Sequence, residues 1–297
     1  MLTQAELLTS STLALRARHL VRGMQLGRHR GIGRGPSSEF FTHRPYSPGD
    51  EPRRIDWKLF ARTRRHFYKE TREDSSVRVL ILLDASGSMG AIPAGDDRES
   101  KWKTAAILAA AIARVTLRQG DPTALTIFAD NEPTELPCTD RPSHWNRIVD
   151  AMAEATPQGV FAADLAAKRV AGRFSRRGLI YLMTDGWDDP AQLNRSLSTL
   201  ATRGHDVRLL RVIDAAEERL PTAEQVRFRD PESTRILQDH ATELAPAYRR
   251  AVAEHHRLVR SACLRHNATI VTVRTGDDLL SRLRLSLAGR TERSAAS

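Results

Sequence analysis

The sequence is poor in aromatic residues and cysteine, and it contains no long apolar run. Aromatic residues make up 5% of the 297, so the core must be built mainly from Leu, Ile, Val and Ala. The two cysteines, Cys138 and Cys263, lie far apart and in no metal-ligand or redox spacing, which predicts free thiols in a reducing cytoplasm. The longest apolar run, residues 105–113, is about half of what a membrane span requires. We therefore expect a soluble, cytoplasmic protein without a membrane span.

The charge is strongly positive, and acidic residues are in the minority. Lys and Arg number 46 against 36 Asp and Glu, which gives a formal net charge of +10. Such a surplus is typical of proteins with acidic partners such as nucleic acid. However, the basic residues are almost all arginine and are spread along the chain rather than gathered in one stripe. Nucleic-acid binding is therefore kept only as an alternative hypothesis.

The first 75 residues differ in texture from the rest of the chain. Residues 4–28 carry leucines and other apolar residues at mostly helical spacing, and a signal-peptide pattern is not expected there. Three glycines in residues 31–36 then end any helix. Residues 37–75 are polar and rich in proline turns, so they predict extended segments. We expect residues 1–75 to form an N-terminal helix and an extended arm that packs on the core.

From residue 76 onwards, buried strands alternate with amphipathic helices. The predicted strands are residues 77–83, 124–128, 179–183, 207–213 and 269–273. The predicted helices are residues 102–117, 143–154, 163–174, 190–203, 246–266 and 277–287. This alternation predicts a doubly wound, mostly parallel α/β sheet of the Rossmann-like kind. We expect this domain to span residues 76–290, with a charged insertion at residues 214–245 and a flexible tail at residues 291–297.

Three oxygen-bearing side chains follow the first predicted strand. Asp84 supplies a carboxylate, and Ser86 and Ser88 supply hydroxyls two and four residues later. Ligands gather at the carboxyl ends of parallel strands, and Mg²⁺ prefers oxygen ligands while keeping several waters. The loop therefore predicts a magnesium site, with Asp185 after the third strand holding one of the waters. The structural alternative is that Asp84 caps the turn and the serines bond backbone amides.

These residues also carry a resemblance to known families. Asp84, Ser86 and Ser88 after a buried strand, with Thr184-Asp185-Gly186 about a hundred residues later, resemble the metal-ion-dependent adhesion site of von Willebrand factor A domains. The chain is similar to one bacterial family, the domain of unknown function fifty-eight, through residues 44–62, which read RPYSPGDEPRRIDWKLFAR. The resemblance covers about residues 13–290, and its further matches are Ser100-Lys101, residues 117–121, residues 203–205, residues 230–232, Tyr248 and His255.

The resemblance implies an interaction module rather than an enzyme. In von Willebrand factor A domains the bound metal leaves one position open for a carboxylate of the partner. Those domains usually place a metal-binding threonine in the second loop, whereas Val160 or Phe161 stands there in this chain, so the implied site is degenerate. The resembled family is associated with MoxR-type AAA+ ATPases. The resemblance therefore implies a non-catalytic adaptor or co-chaperone of such an ATPase, or of a client that presents an acidic residue.

The segment that carries the family resemblance contains paired charges and two aromatic residues. Its notable side chains are Tyr46, Gly49, Asp50, Arg53, Asp56, Trp57 and Arg62. Asp50 with Arg53, and Asp56 with Arg62, have the charges for hydrogen-bonded pairs. One hypothesis is a docking surface for a partner. The other, which we prefer, is a staple that holds the N-terminal arm, with Trp57 as its buried anchor.

Catalytic alternatives have less support in the sequence. A metal-dependent hydrolase at the same loop would require a general base, and Asp185, Asp188 and Asp189 are the only acids in reach. The glycines at residues 31–35 lack the following Lys-Ser/Thr of a phosphate loop. His255 and His256 are adjacent on a predicted helix, so we expect them to point to different sides. We therefore predict that the chain is not an enzyme.

Overall fold

The computed structural model describes most of the chain in two units. The described residues are 9–26, 42–47, 55–70, 76–92, 99–129, 132–174, 176–218, 220, 225–229 and 236–289. One compact unit comprises Met1–Arg30 and Val77–Ser297, and the other comprises Gly31–Ser76. The predicted N-terminal region of residues 1–75 is thus divided between them. Packing of the arm on the core stays a prediction.

The larger unit is built on a six-stranded sheet. Its strands are β3 (Val79–Asp84), β4 (Thr123–Phe128), β5 (Thr134–Thr139), β6 (Leu179–Thr184), β7 (Asp206–Ile213) and β10 (Thr269–Arg274). Their order across the sheet is β10-β7-β6-β3-β4-β5. Every neighbouring pair is parallel except β4 and β5, which are antiparallel. The predicted fold class, a mostly parallel doubly wound α/β sheet, is therefore confirmed.

Helices cover both faces of this sheet. Successive residues of a strand point to opposite faces, so the buried strand β3 contributes side chains to both layers. Val79, Ile81 and Leu83 pack against α1, α4, α5 and α9, while Leu80 and Leu82 pack against α6, α7 and α8. The helices of the larger unit are α1 (Ser10–Leu26), α3 (Gly87–Gly90), α4 (Lys101–Arg118), α5 (His144–Glu154), α6 (Ala163–Arg173), α7 (Pro190–Thr202), α8 (Ala241–Arg265) and α9 (Leu279–Ala288). In the described part of the chain, no helix has the length and apolar character needed to cross a membrane.

Several elements of the larger unit were not predicted. The edge strand β5 is antiparallel to β4, and its register shifts between the pairs Thr123–Thr139 and Leu125–Leu136. The shift places Pro137 and Cys138 opposite one residue of β4, as in a β-bulge. Proline and the polar residues around it hide the strand from periodicity analysis. Within the predicted insertion of residues 214–245, a 3₁₀ turn (Ala215–Glu218) and a hairpin of β8 (Gln225–Arg229) and β9 (Ile236–His240) precede α8.

In its described residues (42–47, 55–70 and 76), the smaller unit contains a two-stranded antiparallel sheet and one short helix. The strands are β1 (Thr42–Pro45) and β2 (Phe67–Glu70), and the helix between them is α2 (Trp57–Thr63). The expectation of extended segments and turns only was therefore wrong. Asp56 starts the helix, because its Oδ1 accepts hydrogen bonds at 3.0 Å from the amides of Lys58 and Leu59.

Candidate functional site

The first loop, residues 84–89, begins at a buried carboxylate. Asp84 is the last residue of β3, and its Oδ1 accepts a hydrogen bond from the Ser86 amide at 2.8 Å. Its Oδ2 accepts a hydrogen bond from the Thr184 hydroxyl at 2.6 Å, which links the ends of β3 and β6. Asp84 therefore caps the turn, as the structural alternative proposed. These two strands lie where the chain order reverses in the sheet, which is where ligands bind in such folds.

The two serine hydroxyls of this loop lie together. Ser86 Oγ and Ser88 Oγ are 3.1 Å apart, with Ser86 buried and Ser88 half-buried. Adjacent ligands of an octahedral Mg²⁺ lie about 2.9 Å apart, given metal–oxygen distances of about 2.1 Å. The spacing of these hydroxyls beside a carboxylate fits two neighbouring positions of a hydrated magnesium ion. The first loop therefore offers two oxygens at the spacing of neighbouring ligands, a spacing that the hydrogen bond between the two hydroxyls also produces.

The second loop, residues 156–164, is held against the first by backbone hydrogen bonds. The Gly87 amide donates to the Gly159 carbonyl at 3.0 Å, and the Gln158 amide donates to the Ala85 carbonyl at 2.8 Å. A β-carbon at Gly90 would lie 2.8 Å from Pro157 Cβ, so the approach requires glycine there.

The side chains of the second loop offer no oxygen at the position of the expected threonine. Phe161 is buried and packs edge-on against Phe128, with ring centroids 5.9 Å apart. Val160 is 56% exposed. One residue thus serves the core and the other forms an apolar rim, which agrees with the predicted loss of a ligand.

The third loop, residues 184–189, carries an acid that is already ion-paired with a lysine of the protein. Asp185 is buried, and Lys101 Nζ donates to its Oδ2 at 2.7 Å. Lys101 also forms an ion pair with Glu217. The Trp187 amide donates to Asp185 Oδ1 at 3.2 Å. The structure therefore brings Asp185 next to the first loop as predicted, but it ties both carboxylate oxygens to partners within the protein.

A cluster of large side chains braces this third loop. Arg211 Nε donates to the Asp185 carbonyl at 2.9 Å, and its guanidinium lies 4.9 Å from the Trp187 ring centroid. His255 stacks on Trp187 at 5.0 Å and its Nε2 lies 2.6 Å from the Gly186 carbonyl oxygen. His256 also contacts the Trp187 ring at 5.7 Å. The expectation that the two histidines point to different sides was wrong, because one indole reaches both.

Glu217 connects the 3₁₀ turn to the same cluster. Its Oε2 accepts hydrogen bonds from Trp187 Nε1 at 3.1 Å and from the Asp214 amide at 3.1 Å. The Tyr248 hydroxyl donates a hydrogen bond to the backbone carbonyl of Glu217 at 2.5 Å. Sequence reasoning missed this residue, because it lies in the segment interpreted as an insertion.

Burial controls the electrostatics of both acids and bases here. Burial raises the pKa of Asp84 to about 7, and the nearby Asp185 carboxylate adds to the increase. Burial alone would lower the pKa of Lys101, but Asp185 and Glu217 hold it above its ordinary value. Burial also lowers the pKa of Arg211 to about 10. Of the two buried aspartates of the site, Asp185 is paired with a cation of the protein and Asp84 is not.

Other kinds of metal site find no support in the described ranges. No group of three or more His, Cys, Asp or Glu side chains is placed to hold a metal ion there. The candidate site therefore depends on serine hydroxyls as well as Asp84.

The segment with the family resemblance lies in the smaller unit, and part of it can be placed. Trp57 is 59% exposed, so its predicted role as a buried anchor was wrong. Its ring meets Phe60 edge-on at 5.9 Å and His66 at 6.3 Å, while Phe60 and His66 stack at 4.5 Å. Tyr46 lies 6.3 Å from His66. Gly49, Asp50 and Arg53, with the pair predicted between the last two, lie outside the described residues.

Comparison with known proteins gives a family and relatives whose roles are undefined. The model of the family described as "Protein of unknown function DUF58" matches residues 42–258. The chain is 29% identical over 277 residues to "Uncharacterized protein Mb1516" of Mycobacterium bovis, covering 91% of this chain and 85% of the relative. The same identity and coverage hold for "Uncharacterized protein Rv1480" of Mycobacterium tuberculosis.

Solved structures with a similar course of the chain were also found. A conserved hypothetical protein, BatB from Bacteroides thetaiotaomicron, is 18% identical with a TM-score of 0.47, covering 72% of this chain and 98% of that one. The SpRpn10 VWA domain is 13% identical with a TM-score of 0.41, covering 74% and 100%.

Proposed function

We propose, from the premise that this chain belongs to the DUF58 family, that it is a non-catalytic module that binds a carboxylate of a partner protein at the first loop. The observation that carries the proposal is the arrangement of Asp84 with Ser86 and Ser88, whose hydroxyl oxygens lie 3.1 Å apart. These three side chains would hold Mg²⁺ together with water. When bound, the ion supplies a positive centre that a partner's carboxylate can ligate.

The surroundings of the loop support recognition rather than catalysis. A hydrolase at this loop would use a nearby acid or histidine as a general base. Asp185 and Glu217 are instead ion-paired with Lys101, and His255 lies in contact with the Gly186 carbonyl. Val160 adds an exposed apolar surface beside the loop, which is typical of the central part of a protein interface.

The partner in this proposal is a MoxR-type AAA+ ATPase, or a client protein that such an ATPase acts on. This part of the proposal depends on the resemblance of residues 44–62 to the family. The chain would then act as an adaptor or co-chaperone. Its own contribution is to present the first loop to an acidic side chain.

Calorimetry on the full chain tests the metal part of the proposal. We expect Mg²⁺ and Mn²⁺ to produce binding heat with the wild type and none with Asp84→Asn. Asp121→Asn is the matched control, because Asp121 precedes β4 at the opposite end of the sheet and accepts a hydrogen bond from the Val77 amide at 2.9 Å. Equal heats for the wild type and Asp84→Asn would overturn the metal site.

A capture experiment tests the partner. Immobilised wild type, Asp84→Asn and Asp121→Asn chains are incubated with native lysate in Mg²⁺ or in EDTA, and retained AAA+ ATPases are identified by mass spectrometry. We expect retention in Mg²⁺ by the wild type and Asp121→Asn only. Absence of any such ATPase under both conditions would contradict the adaptor role. Phosphate release from a generic substrate that is lost in Asp84→Asn would favour the hydrolase instead.

A further inference from the structure

Lys101 is placed where a lysine is unfavourable unless something compensates for it. It is the first residue of α4, and only 1% of its side chain is exposed. The N-terminus of a helix carries a partial positive charge that repels cations. Lysine is almost never fully buried without a partner. The position of Lys101 therefore requires negative charge around its ammonium.

Two carboxylates provide that charge, and both are fixed from other directions. Asp185 Oδ2 lies 2.7 Å from Lys101 Nζ, while the Trp187 amide holds Asp185 Oδ1. Glu217 completes the ion pair, and its second oxygen is held by Trp187 Nε1. Lys101 thus joins α4, the third loop and the 3₁₀ turn at one ammonium group.

Asp84 has a different set of partners although it lies near Asp185. Asp84 accepts hydrogen bonds from the neutral Ser86 amide and the neutral Thr184 hydroxyl. Among the described residues, no lysine, arginine or histidine nitrogen lies within the 4.0 Å of an ion pair with Asp84. A positive charge from outside the protein would therefore find one compensated and one uncompensated carboxylate.

We infer that Lys101 is a built-in cation that neutralises Asp185 and thereby sets the strength with which the first loop binds a divalent metal. With Lys101 present, Asp84 is the one of the two buried aspartates whose charge no ion pair offsets, so binding is weak and the third loop keeps its shape without the ion. Without Lys101, the charge of Asp185 would add to that of Asp84, and a bound divalent ion would supply the positive charge that the ammonium supplied. This inference rests on the proposed function, since it concerns the same metal.

The test compares Lys101→Met with Lys103→Met in the full chain. Both substitutions remove an ammonium and keep a chain of similar length. Lys103 is the matched control because it lies two residues further along α4 and pairs with Glu99 at 3.2 Å. The measurements are the Mg²⁺ dissociation constant by calorimetry and the melting temperature in EDTA and in Mg²⁺.

We expect Lys101→Met to melt at a lower temperature in EDTA, to recover most of the loss in Mg²⁺, and to bind Mg²⁺ about tenfold more tightly than the wild type. Lys103→Met and Lys101→Arg should keep the wild-type affinity, since both leave a cation beside Asp185. A purely structural role for Lys101 would lower the melting temperature equally with and without the ion. That result would overturn the inference.

A second variant keeps the test decisive if Lys101→Met does not fold. Lys101→Met/Asp185→Asn removes the ammonium and the Asp185 charge, and it leaves the partly exposed Glu217 as the remaining acid of the three. It should fold with the Mg²⁺ affinity of the wild type, and a tighter affinity in this variant would contradict the inference. The proposed metal site and the proposed role of Lys101 can be overturned separately. Heat that disappears in Asp84→Asn but is equal in the wild type and Lys101→Met supports the metal site and overturns the role of Lys101. No Asp84-dependent heat in any variant overturns both.

Discussion

The first and third loops have the same origin but different chemistry. Each follows a parallel strand buried in the sheet, and each contributes a buried aspartate, Asp84 or Asp185. Asp84 is surrounded by hydroxyls and an amide, whereas Asp185 is joined to the ammonium of Lys101. The difference shows how one sheet edge can hold two buried acids. One acid is part of the framework, and the other is the acid that we propose binds a cation from outside.

Removal of the ammonium should have the largest effect. Lys101→Met leaves Asp185 buried without a counter-ion, so we expect the free energy of unfolding in EDTA to fall by about 3–5 kcal/mol. Denaturant titration measures the loss. The double variant Lys101→Met/Asp185→Asn should recover most of it, because the buried Asp185 charge is removed with the ammonium and only the partly exposed Glu217 loses its cation. Additive losses from the two substitutions would contradict the idea that they act as a pair.

The same substitution in the two loops should have opposite effects. In EDTA at pH 8, Asp185→Asn should reduce the free energy of unfolding by about 2–3 kcal/mol, because it weakens the support of a buried ammonium. Asp84→Asn should leave stability unchanged or raise it by about 1 kcal/mol, because it replaces a buried charge that lacks a cation. Denaturation curves in the same buffer compare the two. Losses of equal size would remove the distinction between the loops.

The indole at the third loop should contribute through its hydrogen bond as well as its ring. Trp187→Phe keeps a ring between Arg211 and His255 but loses the bond from Nε1 to Glu217. We expect a loss of about 1 kcal/mol in the free energy of unfolding. Trp57→Phe is the control, since the exposed Trp57 lies in the smaller unit and should change stability by less than about 0.5 kcal/mol. A larger effect at Trp57 would reverse this order.

At neutral pH the smallest effect should come from the histidines of the third-loop cluster, because their contribution to stability changes only as the pH falls. Burial beside Arg211 lowers the pKa of His256 to about 4. The folded state therefore favours the neutral ring, and its contribution to stability is present above the ordinary histidine pKa and is lost as pH falls from about 6.5 towards 4. Melting temperatures across this range should fall more steeply for the wild type than for His256→Gln. Parallel curves would show that His256 does not titrate in this way.

Much of the larger unit could be predicted, because its buried strands and amphipathic helices repeat with clear periods. The predicted strand at residues 207–213 differs from β7 (Asp206–Ile213) by one residue. The helix α2 was missed because the prolines before it dominate the local pattern. Its start signal was nevertheless present, since Asp56 is a strong N-cap residue.

The candidate site could be predicted where its residues are close in sequence or follow strands that end at the same edge of the sheet, as Asp185 does. Asp84, Ser86 and Ser88 form one short loop, so their chemistry can be recognised from spacing alone. Lys101 and Asp185 are separated by 84 positions, and no local pattern reports such a pairing. One signal was available, since a lysine that begins an otherwise apolar helix opposes the helix dipole. That conflict indicates a nearby acid but does not identify it.

The edge strand β5 has a consequence for how this protein behaves at high concentration. A strand at the border of a sheet offers free backbone groups to which a second molecule can add a strand, and this is a route to aggregation. Pro137 has no amide hydrogen to offer, and it lies within the bulge of β5. The outer edge is therefore interrupted in the middle. The same irregularity that concealed β5 from sequence analysis thus makes this edge a poor template for a strand of a second molecule.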